Sequence, residues 1–281
     1  MTLYGLIAHP AAHSLSPIMQ NEMMIARQIN GHYHSFDIIP SDLESAVLGL
    51  RALHVGGFNV STPFKSAIVP FLDELTPLAQ RLQAVNTVKN INGRLVGTST
   101  DGDGFWQSIN PHQPHEHVVI LGNGGAAKSV IATAQHYGVR HLAVFNRLHT
   151  DWSQRETQVA YLSQGIGQLS DLADNQALTD ALVNADMLIN ATTVGMNDAR
   201  TLLTDYQISL LPQHALVVDM IYRNQQTGLL KTAQKQQLLI QNGLSMLINQ
   251  GALSFEFWFN QPADRQLMAN AVRGKDNDIS N

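Results

Sequence analysis

The chain has 281 residues, with 17 Lys and Arg against 22 Asp and Glu, giving a formal net charge of −5. Hydrophobic residues make up 44% and charged residues 14%, an ordinary globular balance, and a prior of roughly 150 residues per domain predicts two domains. The acidic balance argues against a nucleic-acid partner, and the absence of cysteine removes disulfides, thiolate metal sites and cysteine nucleophiles.

The first residues have no basic segment ahead of their short apolar run, and no stretch approaches the roughly 18 apolar residues of a membrane span. The expectation is a cytoplasmic protein that binds neither membrane nor nucleic acid. In chain order, Leu3–Ile7 reads as a strand, then a helix starts near Pro17 with Ser16 as N-cap. His32–Ile39 is a second strand, and Ser41–Leu53 a helix capped by Ser41 with Glu44 completing a capping box. Val55–Ser61 is a third strand. Thr62-Pro63 and Thr76-Pro77 both read as a cap followed by proline at a helix start, and Val85–Gly97 as a hairpin about Asn92-Gly93. This rhythm predicts α/β architecture with a mostly parallel sheet.

The segment from Ile109 to His117 carries two prolines and three histidines without apolar periodicity and reads as a connector. Next comes a βαβ pattern: a strand from Val118, a helix from Ala126 to about Tyr137, and a strand through Phe145. Further strands are expected at Met187–Ala191, Ala215–Asp219 and Leu238–Ile240. Two helices close the chain, from Gly243 and from Pro262, with a frayed tail from Gly274.

Gly122-Asn123-Gly124-Gly125-Ala126-Ala127 fits the G-x-G-x-x-G/A pattern between a strand and a helix, where the glycines let a pyrophosphate approach the backbone at the helix N-terminus. At the end of the next strand an NAD site would place an acid on the ribose 2′-OH. Here stands Asn146-Arg147, and an arginine there suits a 2′-phosphate, which favours NADP, although nearby Asp151 opposes it and leaves NAD open.

Four polar clusters lie at expected strand ends: His13–Ser16, Asn59–Lys65, Ala84–Thr87 and Ser99–Gly102. Ligands of open α/β sheets bind beyond the carboxyl ends of strands, and these residue types suit a small hydroxylated acid. Taken singly, each has a plainer reading as a cap or turn residue. His112, His115 and His117 lack carboxylates at ligand spacing and read as solvated side chains, so no metal is expected.

The order and spacing of S-x-S-P, N-V-S-T-P-F-K, A-V-N-T and T-D-G, followed by Gly122–Ala127, Asn190–Met196, Asp219–Tyr222 and Gly243–Gln250, resemble the shikimate dehydrogenase family. The resemblance implies reversible NADPH-dependent reduction of 3-dehydroshikimate to shikimate, in aromatic amino-acid and chorismate biosynthesis. It implies Lys65 and Asp101 as the catalytic pair. Ser14, Ser16, Asn59, Ser61, Asn86, Tyr222 and Gln250 would meet the substrate. On the cofactor side it implies Gly122, Gly124, Gly125 and Ala126 at the pyrophosphate, Asn146 and Arg147 at the adenosine phosphate, and Thr192, Met220, Gly243 and Met246 beside the nicotinamide half. Met246 reads equally well as helix core.

The same resemblance implies a substrate domain of residues 1–102 plus 240–281 and a Rossmann-type domain of residues 103–239. The chain departs from the family pattern at Gln83, Ser99, Leu148, Asp151, Asn224, Gly228 and Gly251. Two other readings stay open: an NAD-preferring quinate/shikimate dehydrogenase, and a ligand-binding paralogue without turnover. The sequence leaves monomer and homodimer undecided.

Overall fold

The computed structural model describes residues 1–222 and 226–278, with residues 274–278 described by backbone alone. Departure Asn224 therefore lies outside the described residues. The chain divides into two compact α/β units, Met1–Gly104 with Ile248–Asn281, and Phe105–Leu247. Among the described residues no helix is long and apolar enough to cross a membrane.

The first stretch of chain forms β1 (Thr2–Ala8), α1 (Ser16–Ala26), β2 (Gly31–Asp37), α2 (Leu43–Ala52), β3 (Gly57–Val60), β4 (Glu74–Leu75), α3 (Pro77–Leu82), β5 (Thr87–Ile91), β6 (Arg94–Thr98) and α4 (Asp101–Trp106). Its sheet has the order β2-β1-β3-β5-β6-β4. Strand β1 pairs in parallel with β2 and β3, and β4 with β6, because helices or long crossovers join them. The hairpin β5–β6 runs antiparallel about Asn92 and Gly93, which both take positive φ. Ile7, Val47, Phe58, Phe64, Ile68 and Val88 fill one core, each side chain contributing about 1.5–3 kcal/mol of burial.

The second unit holds β7 (His117–Leu121), α5 (Gly125–Ala134), β8 (His141–Asn146), α6 (Trp152–Leu162), β9 (Gly167–Asp171), α7 (Asn175–Leu182), β10 (Met187–Asn190), α8 (Asp205–Ser209), β11 (Leu216–Asp219), α9 (Gly228–Lys235) and β12 (Leu239–Asn242). All its strands are parallel, in the order β12-β11-β10-β7-β8-β9. That is the doubly wound Rossmann-type arrangement, with its switch point beside β7. Strands β7, β10 and β11 are buried along nearly their whole length, as a sheet covered on both faces requires. Helices α10 (Leu244–Phe259) and α11 (Arg265–Asp278) close the chain, which rejoins the first unit within α10.

Several local expectations are corrected. No α-helix starts at Thr62-Pro63: the chain runs through turns into a short 3-10 helix at Val69–Phe71, and the Lys65 carbonyl accepts from Val85 N (2.8 Å) rather than from a following helical turn. Ser16 is the first residue of α1 and not its cap; its amide donates to Ser14 Oγ (3.2 Å). Ser41 caps nothing, since its hydroxyl donates to Asp42 Oδ1 and a 3-10 turn precedes α2. Strand β9, GQLSD, has no counterpart among the expected strands, because an edge strand with one deeply buried residue, Leu169, carries no alternating pattern. The tail from Gly274 continues helically to Asp278, while residues 279–281 lie outside the described residues.

Candidate active site

In the first unit the polar residues at the ends of β3, β5 and β6 converge. Lys65 Nζ donates to Asp101 Oδ2 at 2.7 Å, with the Lys65 side chain 28% and the Asp101 side chain 8% exposed. Asn86 Nδ2 donates to the other oxygen, Asp101 Oδ1, at 2.8 Å, and to Thr100 Oγ1 at 2.9 Å. Asn86 Oδ1 accepts from Thr100 N at 2.9 Å, so the amide's orientation is fixed at both ends. Gln250, brought back by α10, lies 3.4 Å from Asn86 Nδ2 through its Oε1, and its carbonyl accepts from Thr100 Oγ1 at 3.0 Å. Both carboxylate oxygens are thus held, and among the described residues the ammonium has Asp101 as its one hydrogen-bond partner.

Behind this group Asn59 is buried. Its Nδ2 donates to Asn86 O, Thr87 Oγ1 and Ser254 Oγ, all at 3.0 Å, and its Oδ1 accepts from Tyr33 OH at 2.8 Å. The Asn59 amide is engaged by the protein itself. Burial pushes the Tyr33 phenol well up in pKa, a bond to Ser16 lowering it, so Tyr33 ties β2 to the start of α1 as a neutral group. Ser14 is half-buried, Ser16 buried and Ser61 half-buried. Sequence reasoning missed Tyr33, Thr87, Thr100 and Ser254 as members of this network. Thr87 and Thr100 stood inside the quoted motifs, and Ser254 lies one helical turn after Gln250, the i, i+4 spacing of one helix face.

In the second unit Gly122 has φ +102°, and a Cβ there would lie 2.7 Å from Thr192 Cγ2. Gly124 and Gly125 differ: a Cβ on either would meet nothing within 4 Å. Neither packing nor a left-handed backbone demands glycine at those two positions, which is what a cradle for a phosphate group would show. Asn123, buried in the same turn, has both amide atoms without a hydrogen-bond partner. The residues therefore fit a dinucleotide.

Asn146 ends β8 half-buried, and Arg147 beside it is exposed. Asp151 does not face the loop as an unpaired charge: the Arg155 guanidinium donates to Asp151 Oδ1 at 2.7 Å and holds its carboxyl below the usual range. At the ends of β10 and β11, Thr192 donates through N and Oγ1 to Asn190 Oδ1 (3.1 and 2.7 Å), and Met220 N donates to Asn190 O (3.0 Å). A Cβ on Gly243 would fall 2.1 Å from Met220 O, so these two segments touch through backbone. Met246 is half-buried in the first turns of α10, and Tyr222 is exposed after β11. Among the described residues no group of three or more His, Asp or Glu side chains could hold a metal; His115 instead directs its two ring nitrogens at the carbonyls of Gln113 and Tyr137.

A family profile described as the shikimate dehydrogenase substrate binding domain matches residues 6–88, and one described as the shikimate 5′-dehydrogenase C-terminal domain matches residues 243–273. A shikimate dehydrogenase (NADP(+)) of Latilactobacillus sakei is 45% identical over 269 residues, covering 92% of this chain and 91% of the relative. The chain belongs to the shikimate dehydrogenase family. Among solved structures, shikimate 5-dehydrogenase of Listeria monocytogenes in complex with shikimate and NAD is 33% identical, with a TM-score of 0.89 over 96% of both chains. Quinate dehydrogenase of Corynebacterium glutamicum in complex with NAD is 26% identical, with a TM-score of 0.87 over 97% of this chain and 99% of that one. The departures from the family's pattern remove no member of the Lys65–Asp101–Asn86 group.

Proposed function

We propose that the protein is an NADP-dependent shikimate dehydrogenase, an oxidoreductase that reversibly reduces the ketone of 3-dehydroshikimate to the secondary alcohol of shikimate. The 2.7 Å contact between Lys65 and Asp101 carries this reading, because a proton-transfer pair is what carbonyl reduction asks of the protein. Lys65 Nζ donates the proton that the carbonyl oxygen acquires, and in the reverse direction takes the hydroxyl proton. Asp101, fixed by Asn86, keeps the ammonium directed at that oxygen. Proton transfer of this kind contributes about 10²–10⁴-fold.

Ser14 and Ser16 hydrogen-bond the substrate carboxylate, while Ser61, Asn86, Asp101 and Gln250 bracket the ring hydroxyls; Asn59 supports them from behind and Tyr222 lines the site. Gly122, Gly124, Gly125 and Ala126 hold the cofactor pyrophosphate, Asn146 and Arg147 its 2′-phosphate, and Thr192, Met220, Gly243 and Met246 its nicotinamide half. Bound NADPH supplies the hydride. We take the enzyme to work in the cytoplasm on small molecules, as a monomer or homodimer, apart from membranes and nucleic acid.

An NAD-preferring quinate/shikimate dehydrogenase is the second reading. The pairing of Asp151 with Arg155 weakens it, since the carboxylate's charge is offset. The intact Lys65–Asp101 pair argues against a paralogue that only binds. The test offers the purified protein shikimate or quinate with NADP⁺ or NAD⁺ and follows nicotinamide reduction. The expected result is fastest turnover with shikimate and NADP⁺. Faster turnover with quinate and NAD⁺ would favour the second reading, and ligand binding without turnover would leave a binding protein.

A further inference from the structure

Asp219 is fully buried at the end of β11, and among the described residues no Lys, Arg or His pairs with it. Three neutral donors reach its carboxylate. Asn190 Nδ2 and Ile221 N both donate to Oδ1 at 3.1 Å, and Thr227 Oγ1 donates to Oδ2 at 2.6 Å. Burial raises the pKa of this carboxyl, the bonds from Thr227, Ile221 and Asn190 opposing the rise only in part. A buried carboxylate without a cation is costly, and an amide at this position could accept the same bonds from Asn190 and Ile221 without the charge. All three contacts donate to the carboxylate, the geometry that suits its ionised form, and so the position offers a negative potential at the carboxyl ends of β10 and β11. The next residue is Met220, and Asn190 holds Thr192 through its other amide atom.

We propose that Asp219 is a positioning residue that biases the site towards the oxidised cofactor, its buried charge favouring the positively charged nicotinamide of NADP⁺ over the neutral ring of NADPH. This rests on the proposed placement of the nicotinamide half beside Thr192 and Met220. In a poorly screened interior a charge acts across several ångströms, whereas a hydrogen-bonding role alone would affect both redox forms equally. The bias bears on the direction of catalysis: it lowers the free energy of the oxidised complex relative to the reduced one and so favours ketone reduction on the enzyme.

Asp219→Asn separates charge from shape. Its Oδ1 still accepts from Asn190 and Ile221, and the new amide donates to Thr227 Oγ1. Dissociation constants for NADP⁺, NADPH and 2′,5′-ADP, which lacks the nicotinamide, are measured by titration calorimetry on the full chain. Asp219→Asn is expected to weaken NADP⁺ on the order of tenfold relative to NADPH and to leave 2′,5′-ADP within about twofold. Equal weakening of both redox forms, or no change in either, overturns the proposal. Thr227→Val removes one bond that also favours the ionised carboxyl, so it is read from pH 7 to pH 9; with Asp219 ionised it should leave the NADP⁺/NADPH ratio near the native value even where both affinities fall. A ratio that collapses in Thr227→Val at every pH across that range overturns the proposal whether or not the Asp219 variant folds. If the native protein binds neither NADP⁺ nor NADPH, the proposed cofactor is wrong, an outcome distinct from a native ratio that Asp219→Asn fails to move.

Discussion

Asn86 and Asp101 lie on opposite sides of the β5–β6 hairpin, yet one amide nitrogen of Asn86 sits 2.8 Å from Asp101 Oδ1 while Lys65 takes Oδ2 at 2.7 Å. The two contacts hold the carboxylate so that Oδ2 faces the ammonium. The hairpin's turn sets this arrangement, because the antiparallel register pairs Thr87 with Thr98 and brings the residues flanking them together.

Removing the ammonium tests the proton-transfer role. Lys65→Ala should lower kcat by about 10²–10⁴-fold with a much smaller change in the KM for shikimate. Steady-state kinetics at saturating cofactor measures both, and a surviving kcat would remove Lys65 from the reaction.

Asn86→Ala should act through Asp101. It deletes hydrogen bonds to a carboxylate and to Thr100 and should cost about 1–3 kcal/mol of stability in urea unfolding. It should also lower kcat, because the ammonium loses its fixed partner. Unchanged kcat alongside lost stability would restrict Asn86 to the fold.

The glycine turn divides into two kinds of position. Gly122→Ala should destabilise the protein by about 1–3 kcal/mol, since a side chain at φ +102° is strained and its Cβ meets Thr192. Gly125→Ala meets nothing within 4 Å and opens α5. It should leave the Tm unchanged or higher, as alanine is the better helix former, while weakening NADP⁺ binding. Thermal melts and cofactor titrations distinguish the two.

Arg147→Ala should raise the Kd for NADP⁺ far more than for NAD⁺. An equal effect on both would assign Arg147 to the part the two cofactors share.

Asp186 gives a pH signature. Burial raises its pKa, but the bonds from His117 N (2.9 Å) and from the His214 ring (3.0 Å) outweigh this, and the folded-state carboxyl sits below its usual range. A depressed acid stabilises the fold above the unfolded-state value of about 3.9 and loses that contribution as pH falls through the folded-state value. Asp186→Asn should thus be less stable than the native protein at pH 7, with the gap closing below about pH 4. Urea unfolding across that range measures it; a gap that persists at low pH would mean that shape, not charge, is at issue.

By itself the sequence determined the α/β alternation, the Asn92-Gly93 hairpin, the glycine turn and the motif residues, because these depend on local backbone preference and on spacing along one strand or helix. It did not determine the path of the chain after Thr62-Pro63. A local cap signal pointed to a helix, but the Lys65 carbonyl finds its partner in Val85 and the chain turns instead. Nor could it show that Asp151 is neutralised by Arg155 one helical turn on, or that Asn59 spends its amide on Thr87 and Ser254. Only the tertiary structure decided these, since a buried polar group must be satisfied by whatever partner the fold brings within about 3 Å, often from far along the chain.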